Sequence, residues 1–404
     1  MHDLDTNAYY ALGVPLYACV ALLEHALARR NGERAYSFAV TIGNLSGGLG
    51  EVVIGLFLGP LLFALYLFAY RHYALVHWHG GSLVPWILAF VLGDFCYYWY
   101  HRAGHRFAGL WAIHGVHHQS EELNLTVALR NPWFSDTYSA LFYAPLPLAG
   151  VPPGHFFIAI SIISFYALTV HSRHFHRPSL WLLVTPATHI VHHAKNPRYV
   201  GRNLGAMFTV WDRMFGTHVE VDPAEAPRLG TSFGYETHDG ALAQWIFFGK
   251  LLETARLARS WREKVLVFVR RPGWRPAGVT RPSPRSARRD AEIPLVTKLH
   301  AAVQFSLVSV FSLEILWRRD HHPTWVLIAS SAVILASIAT IGGMLDGRTR
   351  ARAHEGVRLA CLAGLGIAMA GAGYALTATA LVLGATIGAG TLVAAPEAEA
   401  PVRS

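Results

Sequence analysis

The chain is short of charge, short of cysteine and lacks the opening of a secreted protein. Only 15% of its 404 residues are Asp, Glu, Lys or Arg, against about 25% in a soluble domain. With 53% hydrophobic residues and a mean hydropathy of +0.31, that shortage argues against the two or three soluble domains its length would permit. The three cysteines, Cys19, Cys96 and Cys361, lie in or beside apolar runs. They exclude a disulfide framework and offer no thiolate metal site. His2, Asp3 and Asp5 stand where a secretory signal would carry basic residues, and no small-residue cleavage site stands out. The first apolar run is therefore read as a retained span. Arginine greatly outnumbers lysine, a habit of GC-rich bacterial genomes.

Long apolar runs are present instead. Residues 8–27, 52–70, 83–100, 298–317 and 324–345 approach the ~20 residues that cross a bilayer as a helix. Residues 134–170 form one run broken by Pro145, Pro147 and the turn from Val151 to Gly154, and read as a helical hairpin. Residues 357–394 suffice for two short helices and carry Gly384 and Gly388 at a spacing that lets helices approach. The expected fold is all-α: a polytopic integral membrane protein with N-terminal spans over residues 1–100 and C-terminal spans over 295–404. Between them lies a histidine-rich catalytic region over 101–294, containing the hairpin and a basic Pro/Ser/Arg linker at 270–294. Residues 249–270 alternate apolar and basic positions at helical spacing, as an amphipathic helix does.

Arginines near span ends set orientation. Arg29, Arg30 and Arg34, Arg102 and Arg106, and Arg348, Arg350 and Arg352 all fall on one side with the histidines, which is predicted to be cytoplasmic. Arg71, Arg318 and Arg319 fall opposite. The net charge of +9 reflects this bias and attraction to anionic lipid, not nucleic-acid binding.

Nine histidines form a pattern that packing does not produce. Residues three and four apart share a helix face. His101 with His105, then His114, His117 and His118, then His189, His192 and His193 make three fans of nitrogen donors, each aimed at one point. His171 stands alone between the last two. At 23 histidines in 404 residues, the stretch 101–118 would hold about one, yet it holds five. Neutral imidazole suits zinc, copper, iron and nickel. Nine donors fill two metals of four or five ligands each. His2, His25, His72, His77, His79, His155 and His218 have no such spacing; His174 and His176 adjoin His171 as candidates for a supporting role, and the doublet His321 and His322 reads as a loop.

The missing cysteines point away from structural zinc, and the paired Glu and Glu-x-x-His of ferritin-like sites are absent. A histidine-rich, carboxylate-poor pair of metals at a membrane face fits dioxygen activation near an alkyl chain. Ligating histidines need acceptors for their other ring N–H. Asp94, seven residues before His101 on nearly the same helix face, is one candidate. Asp212, in the segment 211–217 (WDRMFGT), and Glu121, directly after the second fan, are the others. A solvated helix-start carboxylate is the alternative for Glu121.

At these residues the chain resembles the fatty acid hydroxylase/sterol desaturase superfamily. The three histidine boxes, the segment 94–102 (DFCYYWYHR), Asn203-Leu204-Gly205 and 211–217 carry the resemblance. Within it, residues 117–130 (HHQSEELNLTVALR), 269–276 and 341–347 (IGGMLDG) are similar to the ether-lipid monooxygenase branch. The resemblance implies two iron ions, O2, tetrahydrobiopterin as reductant (or a separate electron donor) and an ether lipid held in the membrane. The nine histidines are the implied ligands, with Asp94, Asp212 and Glu121 as the implied supporting or catalytic carboxylates. The rival readings are a hydroxylase or desaturase of a sterol, fatty acid or carotenoid, and a metal transporter with a histidine-lined path.

Overall fold

The computed structural model describes residues 6–33, 35–173, 180–280, 282 and 292–394. His174, His176 and most of the linker 281–291 lie outside the described residues. Among the described residues the chain is helical with no strand, only two isolated bridges, Leu183 to Phe208 and Ala194 to Leu229. Among the described residues, three helices are long and apolar enough to cross a membrane: α2 (Phe38–Tyr73), α12 (Leu295–Trp317) and α13 (Thr324–Leu345). At 1.5 Å per residue α2 runs about 54 Å, longer than the ~30 Å hydrocarbon core. Its exposed Leu61, Phe63, Leu65 and Phe68 suit a lipid surround. The chain is an integral membrane protein.

Two compact units emerge, cut differently from the expected boundaries at residues 100 and 294. The first comprises residues 1–54, 236–243 and 285–404; the second comprises 55–235 and 244–284. In the first unit, α12, α13, α14 (Ala351–Gly371) and α15 (Ala375–Ala394) follow one another through short turns. The run 357–394 thus holds two helices, as its length predicted. A Cβ on Gly388 would stand 2.5 Å from Leu359 Cδ2, so the small-residue spacing read from sequence marks a real close approach.

The interior of this unit holds a polar network. Arg358 Nη2 lies 2.5 Å from Glu355 Oε1 and 2.6 Å from Gln304 Oε1. Glu355 also receives His300 Nε2 at 2.8 Å and the Thr340 hydroxyl at 2.7 Å. Every charge is paired, which is the condition for tolerating charge away from water. The 341–347 segment acts as a clasp: Asp346 accepts bonds from Thr237 Oγ1 (2.5 Å) and His238 N (2.8 Å), Arg348 pairs with Asp239 (2.8 Å), and any Cβ on Gly342 would strike Asp239 Cα at 2.3 Å.

In the second unit, α3 (Val84–Arg106) is the central post. Residues 134–170 fold as α5 (Ser135–Tyr143), α6 (Pro145–Leu148) and α7 (Pro153–Thr169), broken where the prolines remove backbone donors. Ala89, Cys96, Tyr143, Leu146, Val151 and Ala159 form the core between them. The helix α4 (Ala108–His114) follows α3 after one extended residue, Phe107. The amphipathic stretch is not one helix. α10 (Gly240–Leu257) ends, and Ser260 starts α11 (Trp261–Val269) with a capping box to Glu263. That Ser-x-x-Glu signal resets the helix despite the continuous apolar pattern.

Candidate metal centre

The nine histidines come from five places in the second unit. His101 and His105 end α3, His114 ends α4, and His117 and His118 sit in the 3-10 turn that follows. His171 follows α7. His189 and His192 lie in α8 (Pro186–His192), with His193 as its cap. Thr185 and Thr188 form a capping box and Pro186 fixes the first turn.

Their nitrogens gather into two groups. His101, His105, His114, His118 and His192 form one; His117, His171, His189 and His193 form the other, with the ligand atoms of each group within 4.8 Å of one another. The boxes therefore do not each aim at one point, as the sequence reading expected. Adjacent residues in a helical turn point more than 90° apart, so each His-His doublet splits. The rings of His117 and His118 stand 5.4 Å apart at 89°, and those of His192 and His193 5.3 Å apart at 89°. Boxes two and three each serve both groups.

Three rings are locked by backbone carbonyls. His101 Nδ1 lies 2.8 Å from Leu204 O, His171 Nδ1 2.9 Å from Ala167 O, and His192 Nδ1 3.0 Å from Arg202 O. A carbonyl only accepts, so each Nδ1 carries the proton and each Nε2 presents a lone pair. His171 Nε2 then faces the Nε2 atoms of His117, His189 and His193 at 3.1, 3.0 and 3.2 Å. One lone pair cannot satisfy three neighbours by hydrogen bonding. In the five-histidine group, His114 Nε2 meets His101 Nε2 at 3.0 Å and His118 Nε2 at 3.1 Å, while Nε2 of His105 and His192 is buried with no partner.

This crowding fits a cation. With a metal–nitrogen bond of ~2.1 Å, ligands at right angles stand about 3.0 Å apart and tetrahedral ones about 3.4 Å. The observed 3.0–3.2 Å edges match the former. Burial, and then the neighbouring imidazoles, push His105, His114, His118, His189 and His193 well below the usual histidine pKa. Burial lowers His171 and His192 to about 4. All are neutral at pH 7, the form that ligates metal.

The three carboxylates do not reach the nitrogens. Asp94 accepts from Met207 N (2.9 Å), Phe208 N (3.3 Å) and Trp211 Nε1 (2.9 Å). Asp212, in α9 (Val210–Met214), accepts from Leu204 N (2.7 Å), Gly205 N (2.9 Å) and Thr217 Oγ1 (2.7 Å); burial raises its pKa against these donors. Both thus pin the loop whose carbonyls orient His101 and His192. Glu121 is half-exposed and pairs with Lys195 at 2.7 Å.

Asn203 is the residue that ligand spacing alone did not single out. It adopts φ +51°, a left-handed conformation that Asn tolerates. Its amide donates to Thr188 O (2.8 Å) and Val219 O (2.7 Å) and accepts from Val219 N (2.8 Å). The carbonyls on either side of it, Arg202 O and Leu204 O, are two of the three that lock histidine rings. Trp111 was also missed: its indole stacks on His118 at 5.3 Å and 29° and lies 5.1 Å from His105.

A helical membrane protein that gathers two histidine nests of this kind has the donors to hold two metal ions. Comparison with known proteins narrows the reading. Residues 86–217 match the fatty acid hydroxylase family model. The chain is 28% identical over 331 residues to alkylglycerol monooxygenase of Homo sapiens, covering 78% of this chain and 72% of the relative. It is 28% identical over 311 residues to that of Xenopus tropicalis, covering 73% and 68%. A fatty acid hydroxylase, vlmA, of a Lecanicillium species is 29% identical over 171 residues, 35% of this chain and 43% of the relative. No solved structure matches. Over residues 86–217 the chain is similar to the fatty acid hydroxylase family, and these likenesses indicate an oxidoreductase of the oxygenase type.

Proposed function

We propose that the chain is a di-iron membrane oxygenase that hydroxylates a lipid C–H bond with O2, and that its substrate is an ether lipid. The division of nine neutral imidazoles, seven of them buried and His105 and His117 partly so, into five and four carries this reading, together with relatives named alkylglycerol monooxygenase over 73% and 78% of the chain. Two iron ions held by these nitrogens supply the activation of dioxygen and the transfer of one oxygen atom into the substrate. The chain's own residues do the rest. The imidazoles ligate without first losing protons, Leu204 O, Arg202 O and Ala167 O fix ring planes, and burial excludes water from the site. Asp94 and Asp212 are positioning residues acting through the 202–211 loop. Glu121 joins the exits of boxes two and three through Lys195. On a carbon beside an ether oxygen, the new hydroxyl makes a hemiacetal, which breaks into an aldehyde and an alcohol.

Tetrahydrobiopterin is the proposed reductant. The histidine boxes face the cytoplasm of a bacterial cytoplasmic membrane, the side the arginine distribution favours. Metal analysis of the purified protein tests the reading. It predicts two irons per chain and O2 consumption with an alkylglycerol. Stoichiometric zinc without O2 consumption would overturn the enzyme reading. Turnover of a sterol or free fatty acid without pterin would replace the ether-lipid assignment.

A further inference from the structure

The second unit contains a pocket beside the five-histidine group that no ligand or role yet occupies. Trp111, Phe233, Tyr235, Phe247 and Trp274 line it, with Lys250 and Arg275. We propose that this pocket binds the two-electron reductant of the reaction, a reduced, planar nitrogen heterocycle. The inference rests on the oxygenase reading and locates a component that reading requires.

The lining decides the class of ligand. Phe233 and Tyr235 stack at 6.1 Å and 17°. Phe247 stands edge-on to both, at 6.3 and 5.7 Å, and Trp111 closes the wall at 6.4 Å from Phe233 and 6.1 Å from Phe247. Flat π faces set around one space favour a flat ring, whereas an alkyl chain is served equally by aliphatic side chains. Two cations suit the polar edge of a heterocycle and not an alkyl chain. Lys250 lies 5.6 Å from the Tyr235 ring and Arg275 is exposed.

The position decides the role. Trp111 belongs to both places: it lines the pocket, and its ring stacks on His118 and faces His105. A ring bound there is one indole away from two ligating histidines. A second observation points to a ligand: Trp111 Nε1 is buried with no hydrogen-bond partner, and buried donors are ordinarily satisfied. The electron balance closes. The heterocycle gives up two electrons and two protons, one oxygen atom of O2 enters the substrate C–H bond, and the other leaves as water.

Two sources share this chemistry, a tetrahydropterin and a reduced flavin, and the test separates them. Full-length protein in detergent, both iron-loaded and metal-free, is titrated anaerobically by calorimetry with tetrahydrobiopterin and, in parallel, with reduced FMN. One of the two is expected to bind once per chain, with or without iron. Trp274→Ala and Phe233→Ala should weaken binding at least tenfold while iron content stays at two per chain. Lys250→Gln, a milder change, should weaken it less and guards against misfolding of the aromatic variants. Binding unchanged in all three variants, or no binding of either compound, overturns the proposal. If the protein loads two irons and consumes O2 with a chemical reductant but binds neither compound, the pocket assignment alone fails. If it loads no iron, the oxygenase reading fails with it.

Discussion

Replacing Asn203 by Ala should empty one metal position and spare the other. Asn203 makes three hydrogen bonds to neutral backbone groups, at 2.7–2.8 Å, each contributing about 1 kcal/mol. Alanine also has to hold φ +51°, which costs ~1 kcal/mol more. The total is about 4 kcal/mol of local destabilisation. It falls on the segment whose Arg202 and Leu204 carbonyls hold His192 and His101, both in the five-histidine group. Loss of such an orienting partner typically lowers metal affinity by about 10- to 100-fold. The four-histidine group has its own anchor, Ala167 O on His171. Metal titration of the variant should therefore show one site near wild-type affinity and one weakened by one to two orders of magnitude. Asn203→Gly removes the conformational strain but not the lost bonds, and should recover about 1 kcal/mol in thermal unfolding without recovering the metal. Parallel weakening of both sites, or two wild-type sites, would refute the claim that this loop serves the five-histidine group.

Four further outcomes follow from the same geometry. Asp94→Ala strips a buried carboxylate from three donors and should destabilise the protein by several kcal/mol, read as a large drop in Tm; a small drop would deny it an anchoring role. Glu121→Gln breaks an exposed pair and should cost under ~1 kcal/mol with iron content intact, whereas loss of iron would make Glu121 part of the site. Arg358→Ala leaves Glu355 buried without its cation and should cost about 3–5 kcal/mol, while Arg358→Met with Glu355→Leu should restore most of it; equal damage in both variants would point to some other role for the network. Metal-free protein should lose stability as pH falls from about 6.5 toward 4. In that window the unfolded chain takes up protons that native His171 and His192, lowered to about 4, do not, so stability rises with pH there. A flat profile between pH 4 and 6.5 would contradict the burial of these rings.

The helical class, the helix breaks at the prolines of residues 134–170 and the pair of helices in residues 357–394 were legible because apolar run length and proline placement are local properties. The break between α10 and α11 was also locally encoded, in Ser260 and Glu263, but the apolar periodicity running across it masked the cap. The unit boundaries were not legible. Residues 236–243 are held by Asp346 and Arg348, more than 100 positions away, and no window of sequence contains both partners.

For the site, the sequence by itself determined the donors: nine histidines at spacings of one, three and four, no cysteine beside them and carboxylates too few to ligate. It carried the resemblance to the fatty acid hydroxylase/sterol desaturase superfamily as well, through the order of the boxes. Only the tertiary structure decided which histidine joins which group. Helical periodicity sends adjacent residues in different directions, so His117 leaves His118 to meet His171, and His192 leaves His193 to meet His101. The partners are supplied by segments brought from elsewhere in the chain. The structure likewise decided what Asp94 and Asp212 do. A carboxylate's role depends on the donors within about 3 Å of it, and those donors are backbone amides of residues 204–208 with the Trp211 indole and the Thr217 hydroxyl, not the histidines.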